Sequence, residues 1–441
     1  MDAFLAGIHI IGGPLPIVVG VLAALAAAGL ILGKTRRWFV MVALSLVVGA
    51  GLGLLACWVI GDLMNSFDVT LSPTSRAWVA AAFAGVALAV VNLWKARPRR
   101  KVGAAASILV FALMGALGVN ADFGQYTTIG SITGVSPYQP LSDAALAAQR
   151  AGAGTSGAAE LALWKTWAAP ADLPDHGMVG TVTIPAVVSH FAARKALIYL
   201  PPAALVAHPP ALPVLVMLSG QPGSPEHVFA SGHLDDLLDS VAAVNNGLAP
   251  IVVVPDQLSA PSVNPMCVDS AIGNSATYLT VDVPAWIHAN LNVQSATTAW
   301  GIGGFSQGGT CAIQLGAGHP ELFGSIIDVS GELEPKIGSP AVTIARGFAG
   351  DAAAYEAAKP LSVIARNTPF ADTVGVFAVG SLDDKYSPQI QTVEAAASDA
   401  GIKTTLLTSP GTAHDWYTVR YAMKHGLPQI YRQMGLMRPV Q

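Results

Sequence analysis

Charge is what this 441-residue chain has least of: Asp, Glu, Lys and Arg make up 11 % of it, against about 25 % in an ordinary soluble domain. With 52 % of its residues hydrophobic, part of the chain is expected to lie in lipid. The formal net charge is −4 and no basic stripe appears outside two short loops, so nucleic acid is not an expected partner. His227 and His233 lie near Glu226, Asp235 and Asp236, but without the H-E-x-x-H type of spacing that binds metal. No metal and no cofactor is therefore expected, and this group reads as a solvated helix start. Lys and Arg are also missing ahead of the first apolar run, in MDAFLAG, which argues against a cleaved signal peptide.

What is present are four apolar stretches, at roughly 10–32, 38–60, 77–94 and 102–120, all without Asp, Glu, Lys or Arg. Each approaches the about 20 residues that a bilayer requires, and none shows the one-sided stripe of a soluble core helix. Cations gather in two connections: Lys34, Arg36 and Arg37 in the first, and Lys95, Arg97, Arg99, Arg100 and Lys101 in the third. Short cytoplasmic loops are enriched in Lys and Arg, so both are expected inside. The connection from Gly61 to Arg76 carries Asp62, Asp68 and a single cation, which suits the outer side. An even number of spans then leaves everything after about Asn120 extracytoplasmic. The expected organisation is a four-span anchor at 1–120 and a linker at 121–176 with a short amphipathic helix around AELALWKTW. An extracytoplasmic domain follows at 177–441. Of three cysteines, Cys57 fills space in the second span. Cys267 and Cys311 would meet an oxidising environment, either as a disulfide or as two unrelated buried thiols.

The last 260 or so residues alternate strands with helical stretches. The expected strands are VGTVTIPAV, KALIYLPP, LPVLVMLSG, APIVVVPDQ, TTAWGIGG, FGSIIDVSG, TVGVFAVGS and KTTLLTSPG. Such alternation predicts an α/β fold with a mainly parallel sheet and helices on both faces, its chemistry at the carboxyl ends of the strands. Ser306 sits there, in GFSQG between TTAWGIGG and a helix beginning QGGTCAIQL. Gly304 and Gly308 allow the sharp turn that exposes a nucleophilic hydroxyl. A serine nucleophile needs a base, and the base an orienting acid. Asp383 follows the TVGVFAVG strand, with Asp384 as the alternative acid, and His414 follows the last strand in TAHDWY. Ser, Asp, His is the chain order of an α/β hydrolase. The backbone N–H groups of Gln221 and Gln307 are the candidate oxyanion hole, with Gly220 and Gly223 shaping the approach. Trp286, Tyr278 and Trp416 read as packing residues, Trp416 also as a possible wall of an acyl pocket. Asp256 reads as a loop cap or a contact to a polar substrate group.

Taken together, MLSGQPG, NSATYLTVDVPAWIHANL, GIGGFSQGG and GTAHDW resemble the esterase family that includes esterase D and the bacterial mycolyltransferases, over roughly residues 178–435. The resemblance implies an α/β-hydrolase fold, with Ser306 as nucleophile, His414 as base and the Gln221 and Gln307 amides as oxyanion hole. Mycolyltransferases use a Glu where this chain has SLDD, and lack the four spans, so their specific transferase activity is not implied. The expected activity is that of a membrane-anchored serine esterase whose partners are the lipid bilayer and a lipid-linked or envelope ester, such as an aminoacyl ester on a phospholipid head group. Acyl transfer and a non-catalytic binding module are the alternatives. Spans without internal charge give a transporter no path.

Overall fold

The computed structural model describes residues 2–32, 35–94, 97–152 and 162–439. Lys34, Lys95 and the first three residues of AELALWKTW lie outside the described residues. The chain divides into two compact units, Met1–Pro137 with Ala413–Trp416, and Tyr138–Thr412 with Tyr417–Gln441.

The first unit contains four helices long and apolar enough to cross a membrane: α1 (Pro14–Ile31), α2 (Arg36–Ala56), α3 (Pro73–Leu93) and α4 (Pro98–Phe123). A stretch of π-helix, Cys57–Leu63, prolongs α2. Proline, whose missing N–H costs nothing at a helix start, opens α1, α3 and α4. The Thr35 and Ser72 side chains cap α2 and α3. The helices run beyond the apolar stretches of the sequence into charged residues, of which Arg76 and Arg100 are paired. Arg76 donates to both Asp62 oxygens at 2.7 and 3.0 Å. Arg100 donates to Asn92 Oδ1 at 2.7 Å and to the Leu30 and Leu32 carbonyls at the end of α1. Small residues bring α2 onto α3: a Cβ on Gly49 would lie 2.6 Å from the Phe83 carbonyl oxygen, and one on Gly53 2.9 Å from Ala80 Cα.

The second unit is built on an eight-stranded sheet. Its strands are β1 (Met178–Val182), β2 (Ala196–Leu200), β3 (Val214–Leu218), β4 (Ile251–Val254), β5 (Trp300–Phe305), β6 (Ser325–Val329), β7 (Val374–Gly380) and β8 (Lys403–Ser409). They lie in the order β1-β2-β4-β3-β5-β6-β7-β8. Pairing is antiparallel for β1–β2 and β2–β4 and parallel elsewhere. Every residue of β2 through β7 is buried. Since neighbouring side chains point to opposite faces, both faces are covered, as Val- and Ile-rich parallel strands require. The helices of this unit include α5 (Leu234–Val244), α6 (Val283–Asn290), α7 (Gln307–Gly318) and α8 (Ser387–Asp399). All eight expected runs form strands. The first stops at Val182, ahead of Pro185, because proline cannot donate to a ladder. Mainly parallel sheet and strand order together make this an α/β-hydrolase fold.

Candidate active site

Ser306 occupies the turn between β5 and α7 with φ 56° and ψ −118°, a conformation that costs a non-glycine residue about 1–3 kcal/mol. Its backbone is fixed on both sides. Ser306 N–H donates to the Val329 carbonyl at 2.8 Å, and the Ser306 carbonyl accepts from Thr310 N–H at 2.9 Å. The flanking glycines are demanded by space. A Cβ on Gly304 would lie 2.2 Å from the Gly308 carbonyl oxygen, and one on Gly308 2.4 Å from that of Ser219. The turn is thus wedged against the end of β3, with the serine half-buried at the carboxyl edge of the sheet.

Gln307, the first residue of α7, has an N–H without an intrahelical acceptor, in the positive field of a helix start. Its side chain is held firmly: Oε1 accepts from Gln257 Nε2 at 3.0 Å, and Nε2 donates to Asn264 Oδ1 at 2.9 Å and to Cys311 Sγ at 3.2 Å. Cys311 is joined to Cys267 in a disulfide, Cα to Cα 5.5 Å, which ties α7 to the loop after β4. Gln221 lies in the loop that leaves β3, between Gly220 and a cis Gln221–Pro222 peptide. A Cβ on Gly223 would lie 2.2 Å from the Gly220 carbonyl oxygen, so this loop folds tightly back on itself.

The two candidate acids differ in burial. Asp383 is buried, with Oδ1 accepting from Tyr386 N–H at 3.3 Å, whereas Asp384 is exposed. The loops after β7 and β8 are laced together: Ser381 N–H donates to the Ser409 carbonyl, Leu382 N–H to the Thr412 carbonyl and Gly411 N–H to Ser381 Oγ, at 2.8, 2.9 and 2.8 Å. His414 is buried and follows Thr412 by two residues, in the short segment that groups with the first unit. Beside it, Asp415 Oδ2 accepts from Ala413 N–H at 2.7 Å. Ser306, Gln307, Gln221 and Asp383 all follow carboxyl ends of strands within the second unit.

Trp416 is buried and donates to Gln125 Oε1 at 2.9 Å. Tyr278 is buried against Phe191, ring centroids 5.4 Å apart. Trp286, on α6, lines a cavity of about 240 Å³ beside β1 with Leu141, Arg150, Thr181 and Lys195, which contains none of the expected site residues. Asp256 is no free substrate contact: it caps Leu258 N–H at 3.0 Å and takes two hydrogen bonds from the Arg194 guanidinium. The expected solvated helix start needs correction at His227, which is buried. Burial, and then the charge of Arg194, pushes its pKa down to about 4. His233 sits on the Asp236 carboxylate at 2.9 Å, and among the described residues no group of three or more His, Cys, Asp or Glu could hold a metal ion. Sequence reasoning missed Arg194, Gln257 and Asp328. Asp328 faces Gly304 in the β5–β6 register and is packed under the first turn of α7, where a Cβ on Gly309 would lie 2.5 Å from its Oδ1. Burial pushes its pKa up to about 7, although Gly331 N–H donates to it at 3.0 Å.

A family model described as "Putative esterase" matches residues 192–417, from just before β2 to just past His414. An uncharacterised protein of Corynebacterium glutamicum is 32 % identical over 411 residues, 91 % of this chain and 91 % of that one. This chain belongs to the esterase family. As a member it is a hydrolase of carboxylic esters. The C. glutamicum relative leaves less than a tenth of this chain unmatched, so its likeness extends into the apolar helices as well as the esterase sheet. Solved structures similar to this chain include a ferulic acid esterase (TM-score 0.48, 19 % identity, 60 % of this chain and 100 % of that one). The S-formylglutathione hydrolase of Agrobacterium tumefaciens is another (TM-score 0.47, 20 % identity, 59 % and 97 %).

Proposed function

We propose that this esterase works from the outer face of a membrane on a lipid-linked or envelope ester, with Ser306 as nucleophile, His414 as base, Asp383 as orienting acid and the Gln221 and Gln307 amides as oxyanion hole. The observation that carries the reading is the strained, glycine-flanked Ser306 between β5 and α7, since a serine is held this way where its hydroxyl must project from the sheet. His414 takes the hydroxyl proton as Ser306 Oγ attacks the ester carbonyl. The two amides stabilise the oxyanion, and the alcohol leaves with the proton from His414. Water, deprotonated by His414, then attacks the acyl-enzyme and releases the acid. Asp383 holds the imidazole in the tautomer that accepts at the serine; its burial, against the exposure of Asp384, favours it for that role. A four-helix anchor would confine the domain to the layer where lipid-borne esters are concentrated, raising their effective concentration without a new contact.

The test treats the full chain in detergent with a fluorophosphonate and reads the mass of the labelled peptide. A single adduct on Ser306 is expected, absent in Ser306→Ala. In His414→Ala labelling should slow by about three orders of magnitude or more. Asp383→Asn should lower kcat by about 10³–10⁴-fold while Asp384→Asn leaves it within about twofold. A folded wild type that takes no label would favour a binding module on a hydrolase fold, and equal losses in the two aspartate variants would remove Asp383 from its role.

A further inference from the structure

We infer that Gln257 and Asp256, adjacent residues at the end of β4, together with Arg194, are positioning residues that set the oxyanion loop. This rests on the reading of Ser306 as nucleophile and of the Gln221 amide as an oxyanion donor. The loop Ser219–Gly223 carries Gln221 at its centre, two residues from each end. Gln257 Nε2 donates to the Ser219 carbonyl at 2.6 Å, and Arg194 Nη2 donates to the Gly223 carbonyl at 3.0 Å. Arg194 is itself held by Asp256, through its backbone N–H at 2.8 Å, Nε at 2.9 Å and Nη2 at 2.8 Å. Asp256 and Gln257 are both fully buried, and the Gln257 bonds form away from competing water, while the Arg194 bonds are partly buried. Gln257 directly, and Asp256 through Arg194, therefore grip the loop on either side of Gln221.

Gln257 also reaches the second donor. The same Nε2 donates to Gln307 Oε1 at 3.0 Å, so one amide group fixes the loop of Gln221 and the side chain of Gln307 relative to each other. Both acceptors are oxygens, which fixes the orientation of the Gln257 amide; Oε1 is buried with no hydrogen bond of its own. An oxyanion hole stabilises charge only if its donors are aimed before that charge appears, and a displacement of about 1 Å costs about 100-fold in rate. A core glutamine with two donated bonds, one to each half of the hole, suits that requirement.

The test uses the full chain in detergent, a p-nitrophenyl ester as substrate, and a boronic acid, whose tetrahedral adduct with the serine places an oxygen in the hole. Gln257→Met keeps the volume and removes both donors. It should lower kcat by about 10- to 100-fold, leave KM within about twofold and weaken the boronic acid by a factor similar to the loss in kcat. Arg194→Lys keeps a charge for Asp256 but loses the fork that reaches Gly223, and should show the same split, smaller, should Gln257→Met fail to fold. A rise in KM with kcat intact, or unchanged kcat and boronic acid affinity in a variant that melts with the wild type, would overturn the inference. Fluorophosphonate labelling of the wild type at Ser306 separates the two readings. If the label lands there, the nucleophile stands whatever Gln257 does; if it does not, the nucleophile and the clamp fall together.

Discussion

At Asp328, burial beneath the nucleophile turn has a consequence that can be measured without substrate. Its folded-state pKa, pushed up to about 7, lies above the ordinary carboxyl value of about 3.9, so between about pH 4 and 7 the folded protein binds more protons at this site than the unfolded chain. Stability from this group is full below that window and is lost as the pH rises through it. His227 acts in the opposite sense: its pKa, pushed down to about 4, means that stability rises with pH from about 4 to about 6.5. The two slopes offset each other in the wild type, so the variant isolates one of them. Asp328→Asn keeps an acceptor for Gly331 N–H, and its stability relative to wild type should improve by at least about 1 kcal/mol between pH 4.5 and 7.5, read by denaturant unfolding in detergent. A difference that does not change with pH would mean that Asp328 is ionised in the folded state. Ser306 was legible because its motif is local, five residues on a turn. Arg194 and Asp256 lie 62 positions apart, and neither residue type nor spacing marks them as a pair. Asp383 and Asp384 are neighbours with the same chemistry, and only burial tells them apart.

Elements were legible where one solvent sets the pattern. The runs of Val, Ile and Leu that became β2 through β7 are bounded by Pro, Gly, Asn and Asp, and a strand buried on both faces can be written no other way. Edges were less clear, because β1 ends where Pro185 approaches and no hydrophobic count registers that. The long helices were found by apolar length, but their ends extend into charged residues, some satisfied by partners distant in sequence, as Arg100 is by the Leu30 carbonyl. Which face of each helix packs inward was also hidden, since hydrophobicity runs all the way round. Helices in lipid associate through close approach of small residues rather than burial of apolar ones. Gly49 and Gly51, two residues apart on α2, show the difference: a Cβ on Gly49 would meet the α3 backbone at 2.6 Å, while one on Gly51 would meet nothing within 4 Å. Gly49→Leu should destabilise the helical unit by about 1–3 kcal/mol or more, seen as a lower melting temperature in detergent, and Gly51→Leu should melt with the wild type. Equal behaviour of the two would mean that α2 and α3 do not pack through this face.

For the whole molecule, the proposed function depends on which side of the membrane the esterase unit occupies. The cations of the first and third connections argue for an outer position, and the Cys267–Cys311 disulfide agrees, because reducing compartments keep such thiols apart. Asp384 is exposed in the esterase unit and Thr35 is exposed in the connection between α1 and α2, so the two can report on opposite sides. Thr35→Cys leaves Arg36 and Arg37 in place, so it does not alter the charge that orients the chain; it removes a cap worth about 1 kcal/mol. In intact cells a membrane-impermeant maleimide should label Asp384→Cys, and should label Thr35→Cys only after permeabilisation. The reverse pattern would put Ser306 in the cytoplasm, where Cys267 and Cys311 would be held as thiols. The disulfide linking α7 to the loop after β4 would be lost, and lipid esters of the outer leaflet would be out of reach. Labelling of both variants in intact cells would require an even number of spans between Thr35 and the esterase unit, and so would remove one of α2, α3 and α4 from the membrane.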